Sequence, residues 1–137
     1  MLSFFKKILL RCYRFPRYLL VKKNKLGDFH ITTERDKKYV TAIKEYLNQR
    51  AKRDNVIEIG VGLGDILLDL EFKYLVGADK NQNVINAITF ISKFKKGQKK
   101  VSFIKLNFEK EFIEGIYDVV ILVNWIHTID SEILKKN

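Results

Sequence analysis

Short apolar runs and longer amphipathic runs alternate through the second half of the chain. Four of the apolar runs have the length and composition of β-strands: VIEI (56–59), YLVGAD (74–79), VSFIKL (101–106) and YDVVILVN (117–124). Between them, DILLDL (65–70) predicts a short helix and NVINAITFISKF (83–94) predicts a longer one. Strands that alternate with helices form a parallel sheet with right-handed crossovers, so the pattern predicts an α/β fold.

Two other runs extend this picture. The stretch 31–55 carries apolar residues at helical spacing: Tyr39, Val40, Ile43, Tyr46 and Leu47. Thr32 or Thr33 is its expected N-cap, and basic residues gather at its end, as the helix dipole favours. The run VVILV (119–123) is apolar at every position, which is typical of a parallel strand with both faces covered.

The charge of the chain divides it into two segments. Of the 137 residues, residues 1–27 hold eight basic side chains and no acid, whereas the net charge of the whole chain is +10. The remaining 110 residues carry 18 basic and 16 acidic side chains, a net charge of only +2. We therefore predict a basic amphipathic arm over residues 1–27 and an α/β domain over residues 28–137.

The spacing of apolar and basic residues in the arm predicts a helix before Pro16. This helix has basic residues on one face and aromatic and aliphatic residues on the other. Such a helix is typical of attachment to an anionic membrane surface. Packing of the apolar face on the domain or on a missing partner is an equally good interpretation, and binding of RNA is a less favoured third. No run is apolar enough for a signal peptide or a membrane span, and Cys12 has no disulfide partner within the chain. We expect a cytoplasmic protein, peripheral on the inner face of the membrane.

The stretch NVIEIGVGLGD (55–65) carries the clearest chemical signal. Gly60, Gly62 and Gly64 follow a strand and precede a helix start, where glycine lets a ligand approach the backbone and its N–H groups. The dinucleotide fingerprint G-x-G-x-x-G fails, because its last position falls on Asp65 or on Leu67. An acid at this helix start would repel a pyrophosphate, so a ligand without phosphate fits better.

These residues resemble motif I of the class I S-adenosylmethionine-dependent methyltransferases, an acid followed by one residue and then G-x-G-x-G. The resemblance implies that Glu58, Gly60, Gly62 and Gly64 bind S-adenosylmethionine. It also implies that Asp79, in YLVGAD, accepts hydrogen bonds from both ribose hydroxyls. The spacing from Gly64 to Asp79 is short for the family, so we expect the first crossover helix to be clipped.

The resemblance continues into the third and fourth strands. Asn107 lies where the family often places an aspartate that contacts the adenine amino group, and Phe108 adds a backbone N–H or a ring beside the base. Asn124 is implied at the cofactor. His127 is the candidate catalytic base for acceptors that must lose a proton, and a hydrogen-bonded histidine behind the strand is the alternative interpretation. Trp125 is interpreted equally well as core packing, as an apolar lid or as a substrate contact.

The family has a seven-stranded sheet, whereas four strands are predicted here. We therefore expect a Rossmann-like parallel sheet with flanking helices, preceded by N-terminal helices, truncated after strand four and incomplete at its C-terminus. The apolar fourth strand would then lie at or near an exposed sheet edge, which invites pairing with another chain. Three interpretations stay open: a fragment of a longer enzyme, a truncated protein that completes its sheet as a homodimer, and a degenerate binder without turnover.

The implied function is methyl transfer from S-adenosylmethionine to an unidentified acceptor, a small molecule or a saccharide. The basic arm favours a lipid-linked or cell-envelope saccharide. A non-catalytic, truncated nucleotide-binding or interaction module is the alternative. The N/D-P-P-Y signature expected for amino methylation of DNA bases is absent. No cysteine lies near the motifs, which excludes a cytosine methyltransferase with a cysteine nucleophile. His30 and His127 are isolated, so no metal site is predicted.

Overall fold

The computed structural model describes residues 16–31, 37–95, 100–123, 125 and 128–136. The helix predicted before Pro16 lies outside these residues, as do two of the predicted site residues, Asn124 and His127.

The described chain is a parallel sheet flanked by helices, which confirms the predicted fold class. Helix α1 covers residues 16–23, and the others are α2 (Lys38–Asn48), α3 (Gln82–Ser92) and α4 (Ser131–Lys136). The strands are β1 (Asn55–Ile59), β2 (Tyr74–Asp79), β3 (Lys100–Lys105) and β4 (Val119–Leu122). Their order in the sheet is β3-β2-β1-β4, and every pair is parallel.

The first crossover is clipped, as the spacing from Gly64 to Asp79 predicts, and its helix is shorter than the run DILLDL. Only Leu67–Asp69 of DILLDL is helical, as a single 3-10 turn, because Leu70 is already extended and leads back to β2. The N-cap of α2 is Lys37, while the predicted caps, Thr32 and Thr33, lie outside the described residues. The helix ends at Asn48, so the basic residues from Arg50 onward lie beyond its end and the predicted basic last turn is wrong.

The core lies on both faces of the sheet because successive residues of a strand point to opposite sides. Val56 packs with Leu67 and Leu75 beneath α2 and α3, while Ile57 and Ile59 pack on the other face. That second face also receives Ile133, Leu134 and other residues that follow β4.

The described part of the basic arm packs against the domain. Val21 and Leu26 are buried in a cluster with Leu63, Val84 and Ala87. Residues 16–27 therefore contribute to the core, while the boundary at residue 27 stays a prediction. None of the described helices is long and apolar enough to cross a membrane.

The strand β4 lies at an edge of the sheet and is only partly covered. Ile121 is buried, whereas Val120 is 45% exposed. The expectation that both faces of VVILV are covered is therefore wrong at Val120, because the hydrophobic cluster on that face includes Leu122 but not Val120.

Candidate functional site

The carboxyl ends of the four strands meet around one cavity of about 330 Å³. Its wall includes Gly60 after β1, Asp79 at the end of β2, Asn107 after β3 and Trp125 after β4. In open α/β sheets this edge is where ligands bind. A smaller cavity of about 270 Å³ adjoins it on the far side of the glycine turn and reaches Glu58.

The glycine turn has the backbone shape that only glycine adopts easily. Gly60, Gly62 and Gly64 have φ angles of 72°, 54° and 77°, all in the left-handed region. Gly60 and Gly62 line both cavities. A methyl group on Gly64 would instead meet Leu68 at 2.7 Å and Ile88 at 2.9 Å. The structure therefore brings two of the predicted glycines to the cavity wall and uses the third for close packing.

Glu58 is a buried acid inside the strand that leads to this turn. Its side chain is only 5% exposed, and Oε2 accepts a hydrogen bond from the Leu67 amide at 3.0 Å. Burial raises the pKa of Glu58 to about 8, and the neighbouring negative charge of Asp65 adds to the increase. A carboxyl group in this state becomes ionised readily only when a cation arrives beside it.

The structure orders the side chains at the ends of β2 and β3. Asp79 Oδ1 accepts from the Asn81 amide at 2.9 Å, and Asn81 caps α3 by accepting from the Asn83 amide. Asn107 Oδ1 accepts from the Glu109 amide at 3.2 Å. Both predicted polar residues therefore lie on the cavity wall with a side-chain oxygen hydrogen-bonded to a nearby amide.

Two aromatic rings form the apolar part of the wall. Phe108 is buried and packs edge to face against Trp125, with 5.6 Å between the ring centroids. Trp125 Nε1 donates to the Ile59 carbonyl at 2.9 Å, and the indole lies against Gly60. Trp125 thus packs in the core and lines the cavity at the same time.

The sequence analysis missed the cover over the glycine turn. Phe29 and His30 line both cavities, and the His30 ring lies 3.6 Å from where a Gly62 methyl group would be. Burial lowers the pKa of His30, so the imidazole is neutral at pH 7. No motif around these two residues indicates this position.

Arg17 holds the cover in place. Its guanidinium donates to both Asp65 oxygens at 2.7 and 2.8 Å, and its Nε donates to the His30 carbonyl at 2.6 Å. Asp65, the acid expected to repel a phosphate ligand, is therefore paired with a cation from the basic arm.

Metal binding finds no support in the part of the chain that the structure describes. It contains no group of three His, Cys, Asp or Glu residues that could hold an ion.

Comparisons with known proteins are consistent with this fold. No family model matches the chain, and no curated protein matches its sequence. Among solved structures, magnesium protoporphyrin IX methyltransferase (ChlM) from Synechocystis PCC 6803 with bound SAH superposes with a TM-score of 0.59 at 15% identity. The match covers 88% of this chain and 60% of that one.

A second solved structure, the PH0226 protein from Pyrococcus horikoshii OT3, has a TM-score of 0.54 at 23% identity and is matched over 50% of its length by 73% of this chain. The chain thus spans between half and three fifths of these two structures. Such likeness shows that the chain has the Rossmann-like fold seen in class I methyltransferases.

Proposed function

We propose that this chain carries the cofactor site of an S-adenosylmethionine-dependent methyltransferase. The observation that carries the proposal is the convergence of the glycine turn, Asp79 and Asn107 on one cavity beside the buried acid Glu58. The likeness to a methyltransferase structure that holds SAH supports the same cofactor.

The residues present fit the chemistry of this cofactor. Asp79 offers a carboxylate to the ribose diol, while Asn107 and Phe108 offer polar and aromatic contacts to the adenine. Gly60 and Gly62 line the cavity with backbone that carries no side chain. Glu58 is a buried acid whose raised pKa falls when a cation binds nearby, and the cofactor carries an ammonium group and a sulfonium. Asn124 remains a proposed contact on the family resemblance.

The cofactor supplies a methyl group on a good leaving group, so the protein contributes mainly positioning and exclusion of water. A base is needed only for acceptors that lose a proton. We propose His127 for that role on the family resemblance, and His30 as a second candidate. The imidazole of His30 lines the cavity and is neutral at pH 7, so it can accept a proton.

The binding experiment is titration of the chain with S-adenosylhomocysteine, followed by calorimetry and by the fluorescence of Trp125, the single tryptophan. The variant Asp79→Ala should weaken binding by at least about 1.5 kcal/mol, because a charged hydrogen-bond acceptor is lost. The matched control is Asp54→Ala, an acid at the opposite end of the sheet that pairs with Lys73. A folded chain that fails to bind, or equal affinity in both variants, would contradict the proposal.

The acceptor is proposed on the charge of the arm alone. A lipid-linked or cell-envelope saccharide at an anionic membrane surface, on the cytoplasmic side, would suit eight basic residues among residues 1–27. Two of these residues already pair within the chain, Arg17 with Asp65 and Lys22 with Asp28. The membrane contact must therefore come mainly from the basic residues that remain.

Liposome flotation tests this contact without disturbing the core. Deleting residues 1–27 would also remove the buried Val21 and Leu26, so substitution is the sharper change. A variant with glutamine at four arm positions, Lys6, Lys7, Arg11 and Arg14, should lose flotation with anionic vesicles. A control with glutamine at four exposed lysines elsewhere, Lys38, Lys105, Lys110 and Lys136, should keep it. Equal flotation of the two variants would remove the membrane from the proposal.

The same reagents distinguish an enzyme from the alternative, a non-catalytic module. Saturable binding of S-adenosylhomocysteine without methyl transfer to any acceptor tested would favour it. Nucleic-acid binding would appear as retention on single-stranded RNA that weakens steeply with salt.

A further inference from the structure

The two cavities at the carboxyl edge of the sheet meet at the glycine turn. Asp79 and Asn107 line only the larger cavity, whereas Glu58 lines only the smaller one. Five residues line both cavities and form the boundary between them: Phe29, His30, Gly60, Gly62 and Trp125. A ligand whose two ends bind in different cavities must therefore cross this boundary.

The imidazole of His30 closes the boundary at Gly62. Its nearest ring atoms lie 3.6 Å from where a methyl group on Gly62 would be. Since a bond from Cα to that methyl group adds about 1.5 Å, the ring and the Gly62 Cα are no more than about 5 Å apart. A ligand atom between them would need about 3.5 Å or more on each side. No part of a ligand can therefore pass between Gly62 and the ring while His30 occupies this position.

The two sides of the boundary differ in how firmly they are held. Trp125 Nε1 donates to the Ile59 carbonyl at 2.9 Å, and the indole packs edge to face against the buried ring of Phe108. In contrast, the 3-10 turn that carries His30, Asp28–Ile31, has no buried residue. A route between the cavities is therefore opened at lower cost by movement of this turn than by movement of Trp125.

Arg17 ties this turn to the domain. Its Nε donates to the His30 carbonyl, while its other two nitrogens donate to the two Asp65 oxygens. The side chains of Arg17 and Asp65 are only 13% and 18% exposed, so salt and water screen the pair little. A second ion pair on the turn, Lys22 with Asp28, is exposed and therefore weak. Arg17 thus connects the backbone of His30 to Asp65, the residue that directly follows the glycine turn.

We propose that Phe29 and His30 form a cover that must lift from Gly62 before a ligand can span both cavities, and that Arg17 is the positioning residue that holds the cover down. The ligand is a nucleoside with an amino-acid extension, whose nucleoside binds in the larger cavity and whose extension binds beside Glu58. This choice of ligand rests on the proposed function, whereas the cover and its contact with Arg17 rest on the described chain alone. Because only the open form admits such a ligand, association is slowed by the fraction of molecules in which the cover is closed.

The experiment is stopped-flow fluorescence of Trp125, with S-adenosylhomocysteine and adenosine as the two probes. S-adenosylhomocysteine has an amino-acid end and must cross the boundary, whereas adenosine has groups for the larger cavity only. Arg17→Ala should raise the association rate of S-adenosylhomocysteine by about tenfold, the factor that corresponds to the loss of one hydrogen bond between charged groups. The association rate of adenosine should not change.

Two further variants control for loss of structure, and circular dichroism verifies the fold of each protein. Arg53→Ala is the matched control, because this guanidinium also donates to a carboxylate and to a backbone carbonyl, those of Glu71 and Asn48, at the opposite end of the sheet. It should leave both association rates at their wild-type values. His30→Ala removes the ring but keeps the carbonyl that Arg17 binds, and it should also speed the association of S-adenosylhomocysteine.

Acrylamide quenching of Trp125 fluorescence tests the cover without any ligand. Trp125 lines both cavities beside the cover, so quenching should increase in Arg17→Ala and in His30→Ala and stay at the wild-type level in Arg53→Ala. If S-adenosylhomocysteine bound to none of these proteins, the proposed function would fail, and the quenching alone would decide whether the cover exists. Equal quenching of the wild type and Arg17→Ala would overturn the inference. So would an association rate of S-adenosylhomocysteine that Arg17→Ala leaves unchanged, or an equal acceleration of adenosine.

Discussion

Replacement of the buried acid Glu58 by glutamine should stabilise the protein increasingly as the pH rises. Glutamine has nearly the shape of the protonated acid, and its carbonyl oxygen can accept the hydrogen bond that the Leu67 amide donates to Glu58. Unlike the acid, glutamine does not ionise at any of these pH values. The variant therefore isolates the free energy associated with ionising this one group.

The sign follows from the direction of the pKa shift. The pKa of Glu58 is about 8 in the folded chain, against an ordinary value of 4.5. Between these values the unfolded chain has lost the proton and the folded chain keeps it, so the free energy of unfolding falls as the pH rises. Above pH 8 the folded acid ionises too, and the decline ends.

The magnitude follows from the size of the shift. The difference of about 3.5 between 4.5 and about 8, at about 1.36 kcal/mol for each pKa unit, gives roughly 5 kcal/mol across the whole window. That amount is comparable to the total stability of a marginal domain. The advantage of Glu58→Gln over the wild type should therefore grow by several kcal/mol between pH 5 and pH 8.

Urea unfolding followed by Trp125 fluorescence, at a series of pH values from about 5 to about 9, measures this difference. The lowered pKa of His30 has the opposite sign, since its stabilising effect is lost as the pH falls below 6.5. It acts in both proteins and cancels in the comparison. Glu45→Gln, an exposed change on α2, is the control and should follow the wild type. Parallel curves for Glu58→Gln and the wild type would refute the assignment of a buried, protonated acid.

Two further predictions concern the glycine turn and its cover. Gly64→Ala should destabilise the fold by about 1–3 kcal/mol more than Gly62→Ala in urea unfolding, because both positions have positive φ but only the Gly64 methyl group meets Leu68 and Ile88. Equal losses would show that backbone conformation alone accounts for the cost. Arg17→Ala should cost about 1–3 kcal/mol by leaving Asp65 without its bidentate partner, and Arg17→Lys should restore only part of it, since an ammonium lacks the planar fork. Full stability in Arg17→Lys would mean that charge suffices and that the geometry of the fork is not needed.

Local periodicity was enough to predict the strands and the long helix α3. The alternation of apolar runs placed both ends of all four strands within two residues of their observed positions, because buried parallel strands need continuous apolar segments. The acid and glycines of residues 58–64 also identified the ligand-binding edge, since positive φ and a close approach to backbone require glycine at particular positions.

The periodicity of the sequence was less reliable where packing against other elements decides the conformation or the burial of a segment. DILLDL has helix-forming residues, yet it forms a single 3-10 turn, since the chain must return to β2. VVILV is uniformly apolar, yet Val120 is exposed, because coverage depends on what packs against a strand and not on the strand itself.

The sequence by itself therefore determined the fold class and the position of the glycine turn, because both follow from residues adjacent along the chain. The tertiary structure alone decided that Arg17 reaches Asp65, that Phe29 and His30 cover the turn, and that Gly64 packs against the core. Most of these contacts join residues far apart in sequence, and their geometry depends on how the helices pack on the sheet. No local pattern records that information.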